Sequence, residues 1–436
     1  MSNVPRSLLC LFLVSVGVLR GAEPPAVLTL NEALGSVEKA NLTVLLSRES
    51  VVQALEQVNA ARVSTLPIIA GTLQQRRTKS VPLTNTGATS ARPTNRFDGL
   101  LTGSMSIVDL QRWSALRSAR MGSEVAQADY NSVLQSILAN VAQSYFAHLR
   151  NLRRLEVLDA NIARARTLLD LARNQLLAGV ATQIDVTRAE AQLAQAEQAR
   201  LQQVTSDLQS ELLLKRIIDI PVTRELQLED FKVQRSDGML SMFAEDKSTF
   251  EKRADYLRAQ KAVEQSKLDV RSAKFERLPT LGFNGTFGRG APNFDDDLQP
   301  QCSAAALITV PIFDGFRAGT DKRLAMSRQR AQELRLRNLE LQISAELRLA
   351  AQDAKSRNAQ ITVAEKSLRL AQEELRLAQQ RYQQGVADNR EIVDAQNRLA
   401  VAEDNFVEAV YQYNLSRVEL ARAKGDVRAV LAEKAQ

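Results

Sequence analysis

The chain contains two similar halves, and this duplication limits its fold more than any other feature. Residues 174–181 (NQLLAGVA) end in the same way as residues 382–387 (YQQGVA), and Gly385 follows Gly179 by 206 positions. Further pairs lie at the same or a nearly equal offset: Asp185 with Glu391, Val186 with Ile392, Ala189 with Ala395, Leu193 with Leu399, 107–109 with 312–314, and 66–67 with 278–279. Landmarks that recur in one order at one spacing indicate a tandem duplication.

Each half contains the same series of segments. A leading helical segment (31–64 or 247–276) is followed by a stretch rich in Gly, Thr, Ser and Asn. A very long helical run (110–178 or 316–384), a glycine-centred turn and a closing helix complete the half. The predicted division of the chain is 1–22, a signal peptide; 28–220, the first repeat; 221–246, a linker; 247–424, the second repeat; and 425–436, a C-terminal tail.

The N-terminus has the features of a secretory signal. Arg6 precedes an apolar run from Leu8 to Leu19, and Gly21 and Ala22 supply the small residues of a cleavage site. Removal of residues 1–22 leaves Cys302 as the single thiol, so the mature chain has no intramolecular disulfide.

The closing helix of the second half has a heptad pattern. Its seam alternates small and large residues at steps of three and four: Ile392, Ala395, Leu399, Ala402, Phe406, Ala409, Tyr413, Ser416 and Leu420. Such a seam is typical of helices that pack in long supercoiled pairs. A helical run of the length of 110–178 is on the order of 100 Å long, and we expect it to break near 149–154.

Strand-like segments lie between the helices. In 280–288, Leu281, Phe283 and Phe287 alternate with small or polar residues, and 97–108, 303–310 and, more weakly, 66–77 follow the same period. Their length suits tilted strands that cross a bilayer. The tips between them, 80–94 and 290–301, are polar.

Four strands cannot close a barrel, and open strand edges are not tolerated in hydrocarbon. The chain therefore has to combine its strands with copies of itself. A dimer has about 8 strands, with an interior filled by side chains, and a trimer has about 12, with room for a passage.

The composition gives little indication of an enzyme. His148 is the only histidine, Cys302 has no neighbouring base in the sequence, and the glycines at 282, 285 and 288 lack the spacing and the lysine of a phosphate loop. We predict no catalytic residue, no metal site and no cofactor. A basic pI near 9.5 raises nucleic-acid binding as an alternative, but most charges are interspersed with acids as on a solvated helix face.

The motifs together resemble the TolC outer-membrane efflux protein family. The resemblance is carried by residues 310–315 (VPIFDG), by Arg381-Tyr382-x-x-Gly385, and by residues 391–399 (EIVDAQNRL), with an echo in the first half at Gly179 and 185–193. It implies a mainly α protein with a small β part. In that fold, duplicated long helical hairpins form a trimeric α-barrel, and four strands per protomer enter a 12-stranded transmembrane β-barrel.

The same resemblance implies a function, a location and partners. It implies a homotrimer in the outer membrane, with its helical part in the periplasm, that serves as the exit duct of a tripartite efflux or type I secretion system. The implied partners are a periplasmic adaptor protein, an inner-membrane efflux pump or ABC exporter, and outer-membrane lipid, with no nucleic acid.

The resemblance also implies a gate at the tips of the two helical hairpins. By position, the gate and constriction residues are Asp185, Tyr382, Glu391 and Asp394, and the tip turns are at Gly179 and Gly385. The family's gate threonine and arginine are Ile184 and Ala387 here, so a different set of hydrogen bonds is expected. As alternatives, Asp185 is an N-cap and Glu391 a partner of the helix dipole.

One further alternative accounts for the heptads. A secreted periplasmic coiled-coil adaptor or scaffold without a pore would have the same helices, but it leaves the duplicated strands unexplained.

Overall fold

A computed structural model describes residues 26–79, 93–230, 247–384, 386 and 389–432. The predicted signal peptide, residues 231–246 of the predicted linker and the tip residue Gly385 lie outside the described residues.

The chain is mainly helical with a small β part, as predicted. The helices are α1 (Leu30–Ala40), α2 (Leu42–Val63), α3 (Leu110–Leu177), α4 (Gln183–Ile217), α5 (Lys247–Lys252), α6 (Ala254–Phe275), α7 (Arg317–Gln383), α8 (Asn389–Ala423) and α9 (Ala429–Ala432). The strands are β1 (Ala26–Leu28), β2 (Ile68–Lys79), β3 (Pro93–Val108), β4 (Leu226–Leu228), β5 (Thr280–Ala291) and β6 (Gln299–Thr309).

The duplication is visible in the element lengths. Helices α4 and α8 each contain 35 residues, α2 and α6 each contain 22, and α3 and α7 contain 68 and 67. Two antiparallel hairpins, α3–α4 and α7–α8, therefore form the long axis of the molecule. No helix among the described residues is both long and apolar enough to cross a membrane.

Each leading segment is broken, where the sequence predicted one continuous helix. Asn41 ends α1 and caps α2: its Oδ1 accepts from the backbone N–H of Thr43 at 2.9 Å. Its Nδ2 donates to the carbonyl of Ile217, the last residue of α4, at 2.7 Å. A side chain that serves two helix ends stabilises the break without Gly or Pro.

The second half has the same break at Arg253, between α5 and α6. The buried Arg253 guanidinium donates to the carbonyl of Ala423, the last residue of α8, at 3.1 Å. It also pairs with Asp255 at 2.7 Å and with Glu346 at 3.0 Å. In each half, the residue at the break in the leading segment therefore donates a hydrogen bond to the last residue of that half's closing helix.

The predicted break of α3 near 149–154 is wrong, because α3 is continuous. The polar residues of this stretch have partners on neighbouring helices. Asn151 donates to the hydroxyl of Ser210 on α4 at 2.9 Å, and Arg154 forms two bonds with Asp404 on α8, at 2.5 and 2.7 Å. These contacts satisfy the side chains without interrupting the helix.

The heptad seam of α8 faces the protein interior. Of its nine residues, seven are buried and Phe406 and Ala409 are half-buried. The seam packs mainly on α7 and α3.

The four long strands form one antiparallel sheet in the order β2–β3–β5–β6, and β3–β5 is the junction between the two halves. Within the described residues, the outer edges of β2 and β6 pair with no other strand. The strands match the predicted segments, except that β3 and β6 each begin four residues earlier, at Pro93 and at Gln299.

The two faces of this sheet differ in polarity. Register places Leu101 opposite Gly71 and Phe287, and Met105 opposite Phe283, on one face. The other face carries polar residues, including Asp98, Thr102, Ser104, Thr286, Ser303 and Gln301. The apolar face remains exposed in the single chain, where Phe287 is 67% exposed.

The main core lies midway along the hairpins. It joins the buried apolar residues of α1, the middle of α3, and the ends of α4 and α8, with Tyr145 and Phe146 as its largest side chains. The Tyr145 hydroxyl donates to the carbonyl of Glu229 at 2.7 Å, beside the parallel pair β1–β4. Val427 and Val430, in the segment after the second repeat, are also buried in this core.

Candidate functional site: the tips of the helical hairpins

The tip of the first hairpin is a glycine turn. Helix α3 ends at Leu177, and the backbone N–H of Val180 donates to the carbonyl of Gln175 while that of Gly179 donates to Leu176, both at 3.0 Å. This is the Schellman pattern of helix termination, which needs a left-handed residue. Gly179 supplies it with φ of +74°.

The second tip has the equivalent bond. The backbone N–H of Val386 donates to the carbonyl of Arg381 at 3.0 Å, in the same place as the bond from Val180 to Gln175. Gly385, the predicted centre of this turn, and Ala387 lie outside the described residues.

Asp185 belongs to a cap, but it is not the N-cap residue. The N-cap of α4 is Thr182, and Asp185 is the third residue of the helix. The Asp185 Oδ2 accepts from the Thr182 hydroxyl at 2.7 Å and from its backbone N–H at 3.0 Å. These two bonds hold the pKa of Asp185 below its usual value. Thr182-x-x-Asp185 is a capping-box spacing that the sequence already contains.

Tyr382 lies in the last turn of α7 and connects the two hairpins. Only 8% of the residue is exposed, and it packs in a tip core built from α3, α4, α7 and α8 that includes Leu169, Val186 and Leu399. Its hydroxyl donates to the Oε1 of Gln175 on α3. Burial, together with the negative charge of Asp185, raises the pKa of Tyr382, so the hydroxyl keeps its proton at neutral pH.

Glu391 and Asp394 lie on the first turns of α8, and each faces an arginine. The Glu391 Oε1 is 2.7 Å from Nη1 of Arg381 on α7, across the second hairpin. The Asp394 Oδ2 is 3.9 Å from Nε of Arg390, and 52% of the Asp394 side chain is exposed. Glu391 is in the first turn of α8, where its charge also complements the helix dipole.

Further polar contacts connect the hairpins above the tips. The Gln192 amide on α4 donates to Oδ1 of Asn397 on α8 at 2.6 Å. Higher up, Arg164 on α3 pairs with Glu403 on α8 at 2.6 Å. The tip is thus a set of side-chain bridges between two hairpins rather than a pocket for a small ligand.

The four predicted residues lie at the hairpin tips, but several polar residues that make contacts there were not predicted. Gln175, Thr182 and Asn397 were missed. Only Thr182 carried a local signal, since Gln175 and Asn397 are ordinary polar residues of a helix face whose partners lie more than 200 positions away.

Both halves of the chain match one protein family. The sequence model of the family described as Outer membrane efflux protein matches residues 33–218 and again residues 247–426. The chain belongs to the outer membrane efflux protein family. The two matched regions coincide with the two repeats seen in the structure.

Individual outer membrane efflux proteins are similar over most of their length. The outer membrane protein OprJ of Pseudomonas aeruginosa is 25% identical over 409 residues, which cover 87% of this chain and 83% of OprJ. TolC of Escherichia coli is 22% identical over 401 residues, 85% of this chain and 77% of TolC. The crystal structure of the CmeC outer membrane channel of Campylobacter jejuni has a TM-score of 0.83 at 19% identity and covers 100% of this chain and 98% of CmeC.

Family membership confirms the predicted location and class of function. The protein is an outer-membrane protein of efflux transport, and its fold is that of outer membrane channels of known structure. Within the described part of the chain, no cluster of three or more His, Cys, Asp or Glu residues has the arrangement of a metal site.

Proposed function

We propose that three copies of the chain form one channel through the outer membrane, closed by strand pairing between copies. Each copy contributes a four-stranded sheet with two open edges, β2 and β6, and an exposed apolar face. Pairing β6 of one copy with β2 of the next satisfies both edges. Three copies then give a barrel of 12 strands, with the apolar face toward lipid and the polar face toward the passage.

The helices support the same assembly. Helix α7 carries an exposed apolar seam near heptad spacing: Leu334, Leu341, Leu349, Val363, Leu370 and Leu377. Helix α4 exposes Leu201, Val204 and Leu208. Packing α7 of one copy beside the first hairpin of the next covers both sets and continues the barrel as a helical tunnel. The two repeats, 28–220 and 247–424, are the units of this tunnel.

The hairpin tips are the gate of this tunnel. Asp185, Tyr382, Glu391 and Asp394 lie at its periplasmic end, beside the tip turn at Gly179 and the one predicted from the sequence at Gly385. About a three-fold axis, Glu391 and Asp394 become rings of like charge, which favour cations in a narrow mouth. The contact between Tyr382 and Gln175 keeps the second hairpin against the first in the closed state.

The channel is a passive exit duct that takes no part in catalysis. It works with a periplasmic adaptor and an inner-membrane efflux pump or ABC exporter, which supplies the energy. The tips support docking of such a partner, because four large apolar side chains there are exposed: Leu177, Val180, Ile184 and Val386.

The single observation that carries this proposal is the sheet with one apolar face and two open edges. Met105 and Ser104 are neighbours on opposite faces, which provides a matched pair of variants. We expect Met105→Arg to impair assembly in the outer membrane, because a charge toward lipid destabilises each copy, by about 2–4 kcal/mol at the midplane and by less toward the interface, where Met105 lies. Ser104→Arg is expected to assemble as a trimer and to lower the conductance of planar bilayers for cations.

Membrane fractionation, sedimentation of the detergent-solubilised protein and bilayer conductance are the measurements. Equal assembly of both variants, or a monomer that leaves bilayers tight, contradicts the proposal.

A further inference from the structure

The apolar face of the sheet contains a cleft near its outer end. Gly99 leaves a gap in β3, and Leu73, Leu101 and Phe287 surround it. The concavity has a volume of about 640 Å³. Its lining is almost entirely apolar, so it suits a hydrocarbon chain better than a polar solute.

The turn between β5 and β6 adds one wall to this cleft. Phe294 packs edge-to-face on Phe97 with ring centroids 5.1 Å apart. Asn293 holds the turn in place: it accepts from Asn95 at 2.9 Å and donates its backbone N–H to Asp296 at 2.8 Å. Phe294 nevertheless remains 74% exposed, so the wall is positioned without being covered by this chain.

Basic residues lie around the cleft on the same face. Arg289 lines it directly, opposite Gly99. Arg77 and Lys79 follow on β2. Arg77 is the next residue on this face after Gln75, which pairs with Phe97, and it lies about 7 Å further along the strand. The described strand residues of this face include no carboxylate; the acids nearby in sequence are Asp98, on the opposite face, and Asp295–Asp297 in the turn.

The position of the cleft indicates which leaflet it faces. The helices connect to the other end of the strands, so the cleft and its basic residues lie at the end far from the periplasm. An outward-facing apolar cleft with guanidinium groups above it combines the two features of an anionic lipid, which are acyl chains and phosphates.

We propose that this cleft binds a phosphorylated, multiply acylated glycolipid of the outer leaflet, with one acyl chain against Gly99 and phosphates on Arg289 and Arg77. Arg289 and Arg77 are separate positions on different strands, which suits a headgroup with two phosphates. The inference rests on the proposed channel only in that the apolar face of the sheet has to meet lipid.

Two variants and one control test this site. Arg289→Gln with Arg77→Gln removes the charges, and Gly99→Leu fills the cleft. A Cβ on Gly99 meets the end of the flexible Leu73 side chain at 3.2 Å and the backbone carbonyl of Arg289 at an ordinary contact distance of 3.9 Å, so the sheet accommodates it. Arg76→Gln is the control, because it removes the same charge from the opposite face of the same strand.

The full-length protein is titrated with bisphosphorylated hexa-acylated lipid A, and binding is followed by native mass spectrometry, with phosphatidylglycerol as the comparison lipid. We expect the apparent Kd for lipid A to rise by about tenfold or more in the double arginine variant and in Gly99→Leu, which corresponds to the loss of about 1.4 kcal/mol. Arg76→Gln is expected to bind as the wild type does.

Each other outcome counts against the site. If Gly99→Leu binds lipid A as the wild type does, the acyl chain does not occupy the cleft. If Arg76→Gln loses as much affinity as the double arginine variant, the apolar face is not the binding face. If phosphatidylglycerol binds as tightly as lipid A, the site does not select the glycolipid. Bilayer conductance of the same preparations separates the lipid site from the proposed channel. A protein that conducts normally but does not prefer lipid A over phosphatidylglycerol contradicts the lipid site and leaves the channel proposal intact.

Discussion

The Tyr382 hydroxyl donates a hydrogen bond to Oε1 of Gln175, which connects the last turn of α7 to the last turns of α3. The two residues belong to different repeats and sit beside the two tip turns. The Oδ2 of Asp185, on the neighbouring helix α4, accepts from Thr182. In this chain the Tyr382 hydroxyl therefore contacts the first hairpin through the side-chain amide of Gln175.

The first prediction concerns this contact. Tyr382→Phe keeps the ring in the tip core and removes only the hydroxyl. A neutral hydrogen bond contributes about 1 kcal/mol, so its loss should shift the equilibrium toward the open tip by about fivefold. Single-channel recording in planar bilayers should show a higher open probability.

A double-mutant cycle provides the control for this prediction. Gln175→Ala should have a similar effect, and the pair of substitutions should add little to either alone. Tyr411→Phe, on α8 beside Arg150 and far from the tip, should behave as the wild type does. Additive effects at Tyr382 and Gln175 would show that the two residues do not act through one contact.

The second prediction concerns ion selectivity. Asp394 is half exposed, and its distance of 3.9 Å from Arg390 leaves its charge only weakly compensated. Asp394→Ala should lower the preference for cations over anions by about twofold or more, measured as a shift in reversal potential across a salt gradient. The matched control is Glu374→Ala, which removes a charge that pairs with Arg398 at 2.8 Å away from the tip. Unchanged selectivity in Asp394→Ala contradicts the charge ring.

The third prediction concerns the capping box at the first tip. Asp185→Ala removes the acceptor for the Thr182 N–H and hydroxyl, at a cost of about 1 kcal/mol. Hydrogen exchange at the first turn of α4 should therefore be about fivefold faster, while the middle of α4 is unaffected. Glu190→Ala, which breaks only the exposed pair with Arg173, should leave this turn protected.

The cap should also depend on pH in one direction. The hydrogen bonds from Thr182 lower the pKa of Asp185 in the folded state. The stabilising contribution is therefore fully present above the unfolded value of about 3.9, and it is lost as the pH falls through the lower folded pKa. The protection factor at the first turn of α4, which is the intrinsic exchange rate divided by the observed rate at the same pH, should fall only below pH of about 4, and Asp185→Ala should lack this fall.

The fourth prediction concerns His148, which is buried between α3 and α4. Its Nδ1 lies 2.9 Å from Oδ1 of Asp207, with Glu211 and Lys215 further along α4. Burial lowers the pKa of His148 although Asp207 opposes this, so the unfolded chain takes up the proton first as the pH falls below about 6.5. Stability should therefore decrease from pH 7.5 to 5.5, seen as a lower melting temperature by circular dichroism.

His148→Gln should flatten this pH dependence. Burial raises the pKa of Asp207, so its protonation acts in the opposite sense, and Asp207→Asn separates the two contributions. A wild-type melting temperature that rises between pH 7.5 and 5.5 would show that the carboxyl dominates.

Features with a local period were predictable from the sequence. The seam of α8 and the alternation of Phe283 and Phe287 in β5 follow from one element's own spacing, because one face of each element is apolar. The tip at Gly179 was predictable because a left-handed turn selects glycine. The offset between the halves placed the second hairpin by analogy with the first.

Features that depend on a distant partner were not predictable. The breaks at Asn41 and Arg253 contain neither Gly nor Pro, and their side chains act on the ends of helices about 170 positions away. The parallel pair β1–β4 has three residues in each strand, too few for a period to appear. Gln175 and Asn397 form their hydrogen bonds only when the two hairpins lie side by side.

The paired breaks at Asn41 and Arg253 have the same position but different contacts. An amide reaches the end of α4 in one half and a guanidinium reaches the end of α8 in the other, so the geometry is shared while the chemistry is not. The two halves therefore keep a common bend with unlike contacts, and a residue-by-residue comparison of the halves alone would overlook it.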